Sequence, residues 1–485
     1  MDFGFYLKRA LSDNALFYWP NDRRVASSLE INRHCIYDVG LNFAKSRSSA
    51  KRIMEKTGVA IVGLGTVGQG VARILLDHGD RTGRHAGRTL WLTHAVVRDV
   101  KKPLDVELPD GVLTDDLQKL IDDKSVGVVA QVIGGIEPAR TIMLQLLESG
   151  KDVVTANKAL LAEHGPEIFD RARELGRSVA FEASVAGGIP IISNISQCLS
   201  GNQVQSLHAI LNGTCNFILS KMDAQGADYS EALAEAQEAG FAEADPTMDV
   251  DGTDTVQKLA ILAHLGFGAR VHWADIPLRG IDSIAKCDMD FAKLLGYRIK
   301  LIAYAELVES GIQLMVAPMM VKAGEPLAEV KANYNAVSVV GDAVGPVFFH
   351  GQGAGQMPTA SAIVADMIDT AVGRTEITFK TLELWAEDNK RVDFASPGDL
   401  EGRFYFRFDA VDQPGVMGQI TGRLGQHGIS IASVVQHEPS GEKQQTVPII
   451  IMTHHAPESA AQAAMKQILE MPTVADTAER FRILG

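Results

Sequence analysis

Residues 58–79 read GVAIVGLGTVGQGVARILLDHG. A short apolar strand, Val59 to Val62, runs into Gly63, Gly65 and Gly68 at G-x-G-x-x-G spacing, and a helical stretch follows to about Gly79. The three glycines have separate physical uses. The first permits a tight turn, the second lets the backbone approach a pyrophosphate, and the third allows the helix to pack closely on the strand. Phosphates would rest on the helix N-terminus, where backbone N–H groups point outward. Gly63, Gly65, Thr66, Val67 and Gly68 are therefore candidate cofactor-binding residues. A glycine triplet also occurs in bare loops; the strand before it and the helix after it favour a dinucleotide-binding α/β fold.

The next strand, LWLTHAVVRD (90–99), ends on Arg98 and Asp99. An arginine at this strand end accommodates a 2′-phosphate and an acid binds a 2′-hydroxyl, so Arg98 points to NADP while Asp99 leaves NAD open. Residues 126–165, VGVVAQVIGGIEPARTIMLQLLESGKDVVTANKALLAEHG, form a strand–helix–strand unit, with Pro138 placed to begin the helix and Gly150 to end it. Lys158 follows the second of these strands. Open α/β sheets bind ligands at strand carboxyl ends, which makes Lys158 a candidate for catalysis or cofactor contact rather than a solvated loop lysine.

A different kind of signal lies in FAEADPTMDVDGTDTVQK, residues 241–258, where five side-chain acids precede Lys258. A solvated loop is the plain reading. A calcium loop fails, because with Gly252 at the sixth position the twelfth would be Lys258, where a bidentate Glu is needed. Asp254 and Lys258 stand four apart at the start of a helical run and so share a face. Glu243, Asp249 and Asp251 sit just upstream. Carboxylates here could hold a substrate ammonium while the lysine handles a proton.

The chain has 485 residues, 46% hydrophobic and 22% charged, with a formal net charge of −14. That length suits roughly three domains. The acidic balance argues against a nucleic-acid surface. Cys35, Cys198, Cys215 and Cys287 lie far apart with no C-x-x-C pair, which indicates neither a disulfide framework nor a zinc knot. With no apolar run long enough to cross a bilayer and no secretory core, the expectation is a cytoplasmic protein without membrane contact. Residues 1–53 have no sustained periodicity and read as a poorly ordered extension; Met54 offers an alternative start of translation.

Taken in order, GLGTVG (63–68), VIGGIEPA (132–139), TANKALLA (155–162), EASVAGGIPII (182–192), LNGTCNFIL (211–219), AGFAEADPTMDVDGTDTVQK (239–258) and GQGAGQMPTASAIVAD (351–366) resemble homoserine dehydrogenase of the bacterial type with a C-terminal ACT domain. The resemblance covers essentially everything after residue 57. It implies reversible NAD(P)-dependent interconversion of L-homoserine and L-aspartate 4-semialdehyde, in threonine and methionine biosynthesis. Residue by residue, it implies Lys258 as proton donor to the aldehyde oxygen, Asp254 as its orienting partner, and Lys158 as a second essential lysine near nicotinamide and substrate. Glu243 and Asp249 would hold the substrate's amino group, and Gly353 would contact the cofactor. Glu182, Val185, Gly187 and Ile189 resemble a loop for a monovalent cation, sodium or potassium, the last three through backbone carbonyls. Cys215 stands where a small residue is more usual. A homodimer or homotetramer is expected. A sensor that kept the fold without catalysis is the competing reading, against which both lysines speak, and another semialdehyde dehydrogenase is the alternative among enzymes.

The implied organisation is a Rossmann-like nucleotide-binding domain (54–187), an α+β substrate-binding and dimerisation domain (188–345), a segment returning to the nucleotide domain (346–378), a linker (379–403) and a tail (404–485). The tail's own pattern is strand, helix, strand, a turn at PSGEKQ, strand, helix, strand, the ferredoxin-like βαββαβ order. DAVDQPGVMGQITGRLGQHGISIASVVQ (409–436) resembles an ACT domain in particular. Attached to such an enzyme it implies L-threonine as a candidate effector, with a purely structural dimerisation module as the alternative.

Overall fold

The computed structural model describes residues 55–385, 392–395, 398, 400–436 and 446–484. Its first sheet is parallel and has six strands: β1 (Lys56–Val62), β2 (Thr89–Val96), β3 (Leu113–Thr114), β4 (Val126–Gln131), β5 (Asp152–Thr155) and β6 (Val179–Ala180), in the order β3-β2-β1-β4-β5-β6. That order reverses between β1 and β4, which opens a crevice at their carboxyl ends. β1 shows why a continuous apolar run forms a central strand. Val59 and Ile61 face a core with Val71, Ile363 and Met367, while Ala60 and Val62 face another with Met143, Leu160 and Phe169. Alternate residues point to opposite faces, and both faces are covered by helices. The helices Thr66–Asp77 and Gln356–Ala371 cover one side, and Ala139–Glu148 and Lys158–Glu174 the other.

The second sheet begins with β7 (Val204–Ile210), β8 (Tyr297–Val308), β9 (Gly311–Lys322), β10 (Tyr334–Gly341) and β11 (Gly345–Gln352). It continues into the tail through β12 (Glu401–Val411), β13 (Ile431–Gln436), β14 (Thr446–Thr453), the short β15 (Ala456–Pro457) and β16 (Glu479–Leu484). The path runs β11-β10-β7-β8-β9-β16-β12-β14-β13, with β15 beside β12. The tail alone is therefore a four-stranded antiparallel sheet with the helices Val416–Gln426 and Glu458–Leu469, packed through Phe404, Phe406, Phe408, Ile420, Leu424 and Ile468. This is the βαββαβ arrangement expected from the pattern, although the PSGEKQ turn falls outside the described residues.

What the pattern did not show is that β16 also pairs in parallel with β9, Arg482 opposite Met319 and Leu484 opposite Val321. The two sheets merge. A buried ion pair fastens the junction: Arg407 Nε lies 2.7 Å and Nη2 3.2 Å from the two carboxylate oxygens of Asp288, and the Tyr405 hydroxyl donates to the same carboxylate at 3.1 Å. Asp288 belongs to the helix Lys286–Leu294 of the middle region.

Two expected boundaries need correction, and a third segment lies out of view. Residues 346–352 sit in β11, paired with β10, so the return to the nucleotide domain starts only at Gly353. The start of the expected linker is structured: Arg374–Leu382 is helical, and Trp385 is buried with its ring 4.5 Å from those of both Phe169 and His264. Burying large aromatic area holds this stretch down. The proposed extension 1–53 lies outside the described residues. Among those described, no helix is long and apolar enough to cross a membrane.

Candidate active site

The helix Thr253–Phe267 starts after Gly252, whose φ of 90° is left-handed and whose missing Cβ would stand 2.6 Å from Leu278 Cδ1. Only glycine fits that turn. From Asp254 to His264 the helix is buried, charges included. Burying a charge is costly unless it is paired and hydrogen-bonded, and here each partner is present. Asp254 Oδ2 accepts from Lys258 Nζ at 2.7 Å and from Asn212 Nδ2 at 3.0 Å, while its Oδ1 lies 3.0 Å from Lys158 Nζ. Burial raises the Asp254 pKa, but the Lys258 and Lys158 ammoniums outweigh it and hold the carboxylate down at about 2.

Lys158 and Lys258 come from helices of different domains. Lys158 follows β5 and opens the helix Lys158–Glu174; Asp254 thus ties the nucleotide domain to the middle region. Lys258 also donates to the Leu211 carbonyl at 2.8 Å, an oxygen shared with Asn335 Nδ2 at 3.0 Å. An ammonium has three N–H donors, so one is left for a ligand. The lysine side chain is 11% exposed, which lets that donor reach outward. Lys158 is held from behind by Asn157, whose Oδ1 caps the helix through Leu160 N–H (3.1 Å) and whose Nδ2 donates to the Ile133 and Gly135 carbonyls (3.0 and 2.6 Å).

Asp249 lies in a helical turn, Thr247–Val250, rather than in an open loop. Its carboxylate accepts from Asn212 Nδ2 at 2.8 Å and Thr214 Oγ1 at 3.1 Å, and burial raises its pKa. Asn212 therefore joins Asp249 to Asp254, a role the sequence reading missed. The available signal was its position as helix N-cap, since its Oδ1 accepts from Cys215 N–H at 2.8 Å. Cys215 is buried with its thiol 3.0 Å from the Asp249 carbonyl, and burial pushes the thiol well up; it is held away from chemistry. Glu243 is not drawn into this cluster. It is exposed, and among the described residues its carboxylate makes no hydrogen bond or ion pair.

At the crevice, Gly63 turns at φ 101°, and a Cβ on Gly68 would lie 2.0 Å from the Gly63 carbonyl oxygen. Nothing stands within 4 Å of the Cβ position of Gly65. The helix Thr66–Asp77 has no side-chain cap and no acid in its first turn, so its leading N–H groups, with Thr66 and Val67, face that open space uncompensated. These features fit a pyrophosphate. Arg98 is exposed just beyond β2, and the Asp99 carboxylate accepts Lys101 N–H at 2.9 Å.

Gly353 lies against Gly187, whose Cβ position is 2.4 Å from the Gly353 carbonyl oxygen, and a Cβ on Gly353 itself would meet Asn335 at 2.0 Å. Protein packing alone accounts for this glycine. In the loop 182–189 the Glu182 carboxylate is already engaged, accepting the N–H groups of Ile192 and Ser193, both at 2.8 Å. The Ile189 carbonyl accepts Ile191 N–H at 2.7 Å. No hydrogen bond among the described residues ends on the Val185 or Gly187 carbonyl.

Comparison with known proteins points to one family. A homoserine dehydrogenase family model matches residues 190–368, the homoserine dehydrogenase NAD-binding domain matches 63–182, and an ACT domain matches 404–472. The homoserine dehydrogenase of a Synechocystis species is 41% identical over 434 residues, covering 88% of this chain and 99% of the relative. That of Bacillus subtilis is 38% identical, covering 89% and 99%. A crystal structure of the homoserine dehydrogenase from Thiobacillus denitrificans superposes with a TM-score of 0.82 at 38% identity, over 89% of this chain and 99% of that one.

Proposed function

This chain belongs to the homoserine dehydrogenase family, and from that premise we propose which of its residues carry the reaction. The enzyme interconverts L-homoserine and L-aspartate 4-semialdehyde with a nicotinamide cofactor. When bound, the nicotinamide supplies or takes up the hydride. The chain's own residues do the rest. Lys258 places its remaining N–H donor on the substrate's terminal oxygen and passes a proton to it as alkoxide charge develops, and Lys158 adds a second cation at the same edge. A preorganised cation or acid at a developing oxyanion lowers the barrier, by about 10² to 10⁴ in rate for general acid catalysis. Asp254 fixes both ammoniums. Asp249, partly buried and oriented by Asn212 and Thr214, receives the substrate's ammonium; Glu243 joins it by swinging in from its exposed position.

The observation that carries this reading is the Lys158–Asp254–Lys258 bridge between the nucleotide domain and the middle region, at 3.0 and 2.7 Å. Its test is a spectrophotometric assay of the purified protein with L-homoserine and each of NAD and NADP. Turnover that survives replacement of both lysines would reject it.

Five narrower readings go with it. Gly63, Gly65, Thr66, Val67 and Gly68 hold the pyrophosphate, and exposed Arg98 reads a 2′-phosphate, giving preference for NADP. Gly353 serves the cofactor only indirectly, through the close packing it permits. A sodium or potassium ion is held by the loop 182–189, mainly by the Val185 and Gly187 carbonyls; hard cations take such oxygens, whereas the Glu182 carboxylate is already engaged. Activity titrated against each chloride salt checks this. The active enzyme is a cytoplasmic homodimer or homotetramer, with β11 as an exposed strand edge carrying Phe348 that a second copy can cover, checked by light scattering. L-Threonine is the candidate effector of the ACT domain.

A further inference from the structure

The two lysines of the bridge stand on separate helices, and one side chain touches both helices at a distance from the bridge. Lys158 opens Lys158–Glu174, and Lys258 lies on Thr253–Phe267. The ring of Trp385 stacks on His264 of the second helix, with centroids 4.5 Å apart and planes 2° from parallel. On the first helix it lies 4.5 Å from the Phe169 ring, and a Cβ added to Gly165 would stand 3.2 Å from its Cε2 atom. The backbone is tied to the same neighbours. Trp385 N–H donates to His264 Nε2 at 2.6 Å, and Arg173 Nη1, near the end of the first helix, donates to the Leu384 carbonyl at 2.6 Å.

The Ala269 carbonyl can only accept, so His264 Nδ1, 3.2 Å away, carries the ring proton and leaves Nε2 as the acceptor for Trp385. Burial keeps this imidazole uncharged, its pKa pushed down to about 4. The chain bends unusually to make the contact. Glu383 and Trp385 have φ of 44° and 58°, left-handed values that bulky side chains rarely adopt. Strain of this kind persists only where the surroundings over-determine it, and it gathers at functional sites. The first helix is itself broken at His164, with φ −122° and ψ 17°, directly before Gly165. Trp385 therefore sits against the joint from which the short piece carrying Lys158 projects.

We propose that Trp385 is a positioning residue for the reaction, a wedge that fixes the separation of Lys158 from Lys258 without touching the substrate. At about 1.5 Å of rise per residue, Gly165 stands roughly 10 Å from Lys158 along its helix, and His264 about 9 Å from Lys258 along the other. A tilt of about 6° at Gly165 would move Lys158 by about 1 Å. Misplacement on that scale costs about 10²-fold in rate. The Asp254 carboxylate holds the two ammoniums at one end of this assembly, and the indole holds the two helices at the other. The inference rests on the reading of both lysines as catalytic.

The test uses the full chain. The hydride step is read in single turnovers with saturating L-homoserine and cofactor, and KM for each is measured alongside. Trp385→Ala should slow the step about 10- to 100-fold and change either KM less than about threefold, while Trp385→Phe, which keeps a flat ring, should recover most of the rate. Gly165→Ala keeps the tryptophan and presses on it; it should slow the step by a smaller factor, and combining it with Trp385→Phe, whose smaller ring makes room for the methyl, should return part of that loss. Leu424→Ala, in the core of the tail, should lower Tm and leave the rate at wild type, which separates aim from general loss of stability. A wild-type rate in Trp385→Ala, an equal loss in Leu424→Ala, or a change confined to KM overturns the proposal. Should Trp385→Ala not fold, Trp385→Leu and Gly165→Ala decide, and wild-type rates in both overturn it. Lys158→Ala and Lys258→Ala in the same assay keep the two readings apart: if they slow the step and the wedge variants do not, this proposal alone falls, whereas wild-type rates in the lysine variants remove the catalytic reading beneath it.

Discussion

Replacing Asp254 by asparagine removes one charge from the site with almost no change of shape. Two routes give the size of the effect. A carboxylate held at about 2, against an ordinary value of about 3.9, corresponds to roughly 2–3 kcal/mol of stability near neutral pH. Because the folded value is depressed, that contribution is complete above about pH 4 and is lost as the pH falls towards 2. Separately, leaving a buried cation without its partner costs about 3–5 kcal/mol. The Lys258 side chain, 11% exposed, is close to that limit, while Lys158, 34% exposed, can relax towards water. A loss of about 2–4 kcal/mol is expected. For 485 residues, an unfolding entropy of roughly 2.1 cal/mol/K per residue makes this a fall of about 2–4 °C in Tm.

Activity should suffer more than stability. With Asp254 neutral, the two ammoniums repel and neither keeps its aim, so kcat should fall about 10²-fold or more with a smaller change in KM. Asp254→Glu, which restores the charge on a longer arm, should recover much of the Tm and little of the rate. Scanning calorimetry of both variants at pH 7 and at pH 4, with steady-state assays alongside, separates the two effects. An asparagine variant that melts with wild type and turns over at its rate would refute the assignment of Asp254 as the bridge.

Lys258→Ala should lower kcat with KM for L-homoserine nearly unchanged, because the interaction it removes strengthens as the oxyanion forms; a KM effect alone would make it a binding residue. Arg98→Ala should reduce the NADP over NAD ratio of kcat/KM and leave NAD turnover untouched, and an unchanged ratio would show that the 2′-phosphate is read elsewhere. Asp288→Ala should cost about 1.5–3 kcal/mol, because Arg407 loses its two bonds to Asp288 but keeps Asp409 at 2.6 Å, read as earlier melting and faster proteolysis between the middle region and the tail.

The parts of this molecule legible in its sequence are those in which neighbours in the chain are also neighbours in space. The glycine turn at 63–68, the Asp254–Lys258 pair one helical turn apart and the strand–helix alternation of the tail are local patterns, and each stands in the structure where its spacing placed it. Lys158 was readable by rule, since ligand sites gather at strand carboxyl ends. Asn212 was not, because a helix cap carries no sign of which carboxylates its free amide will meet 37 and 42 residues later. Glu243 is the converse case: it stands six residues before Asp249 in the chain, yet only Asp249 is turned inward while Glu243 stays exposed.

The pairing of β16 with β9 is the extreme case, a contact between residues about 160 positions apart that no local period encodes. It changes how regulation by the tail must be tested. Removing residues 404–485 would separate an allosteric effector from a competitive one only if the catalytic core were indifferent to the loss. Here the cut would bare the edge of β9, strand Asp288 without Arg407 and release Arg279 from Glu479, two residues before the segment that bonds Val250. A truncated enzyme that ignored L-threonine could have lost its effector site or merely the shape of its active site, so the tail's role must be read with both sheets left joined.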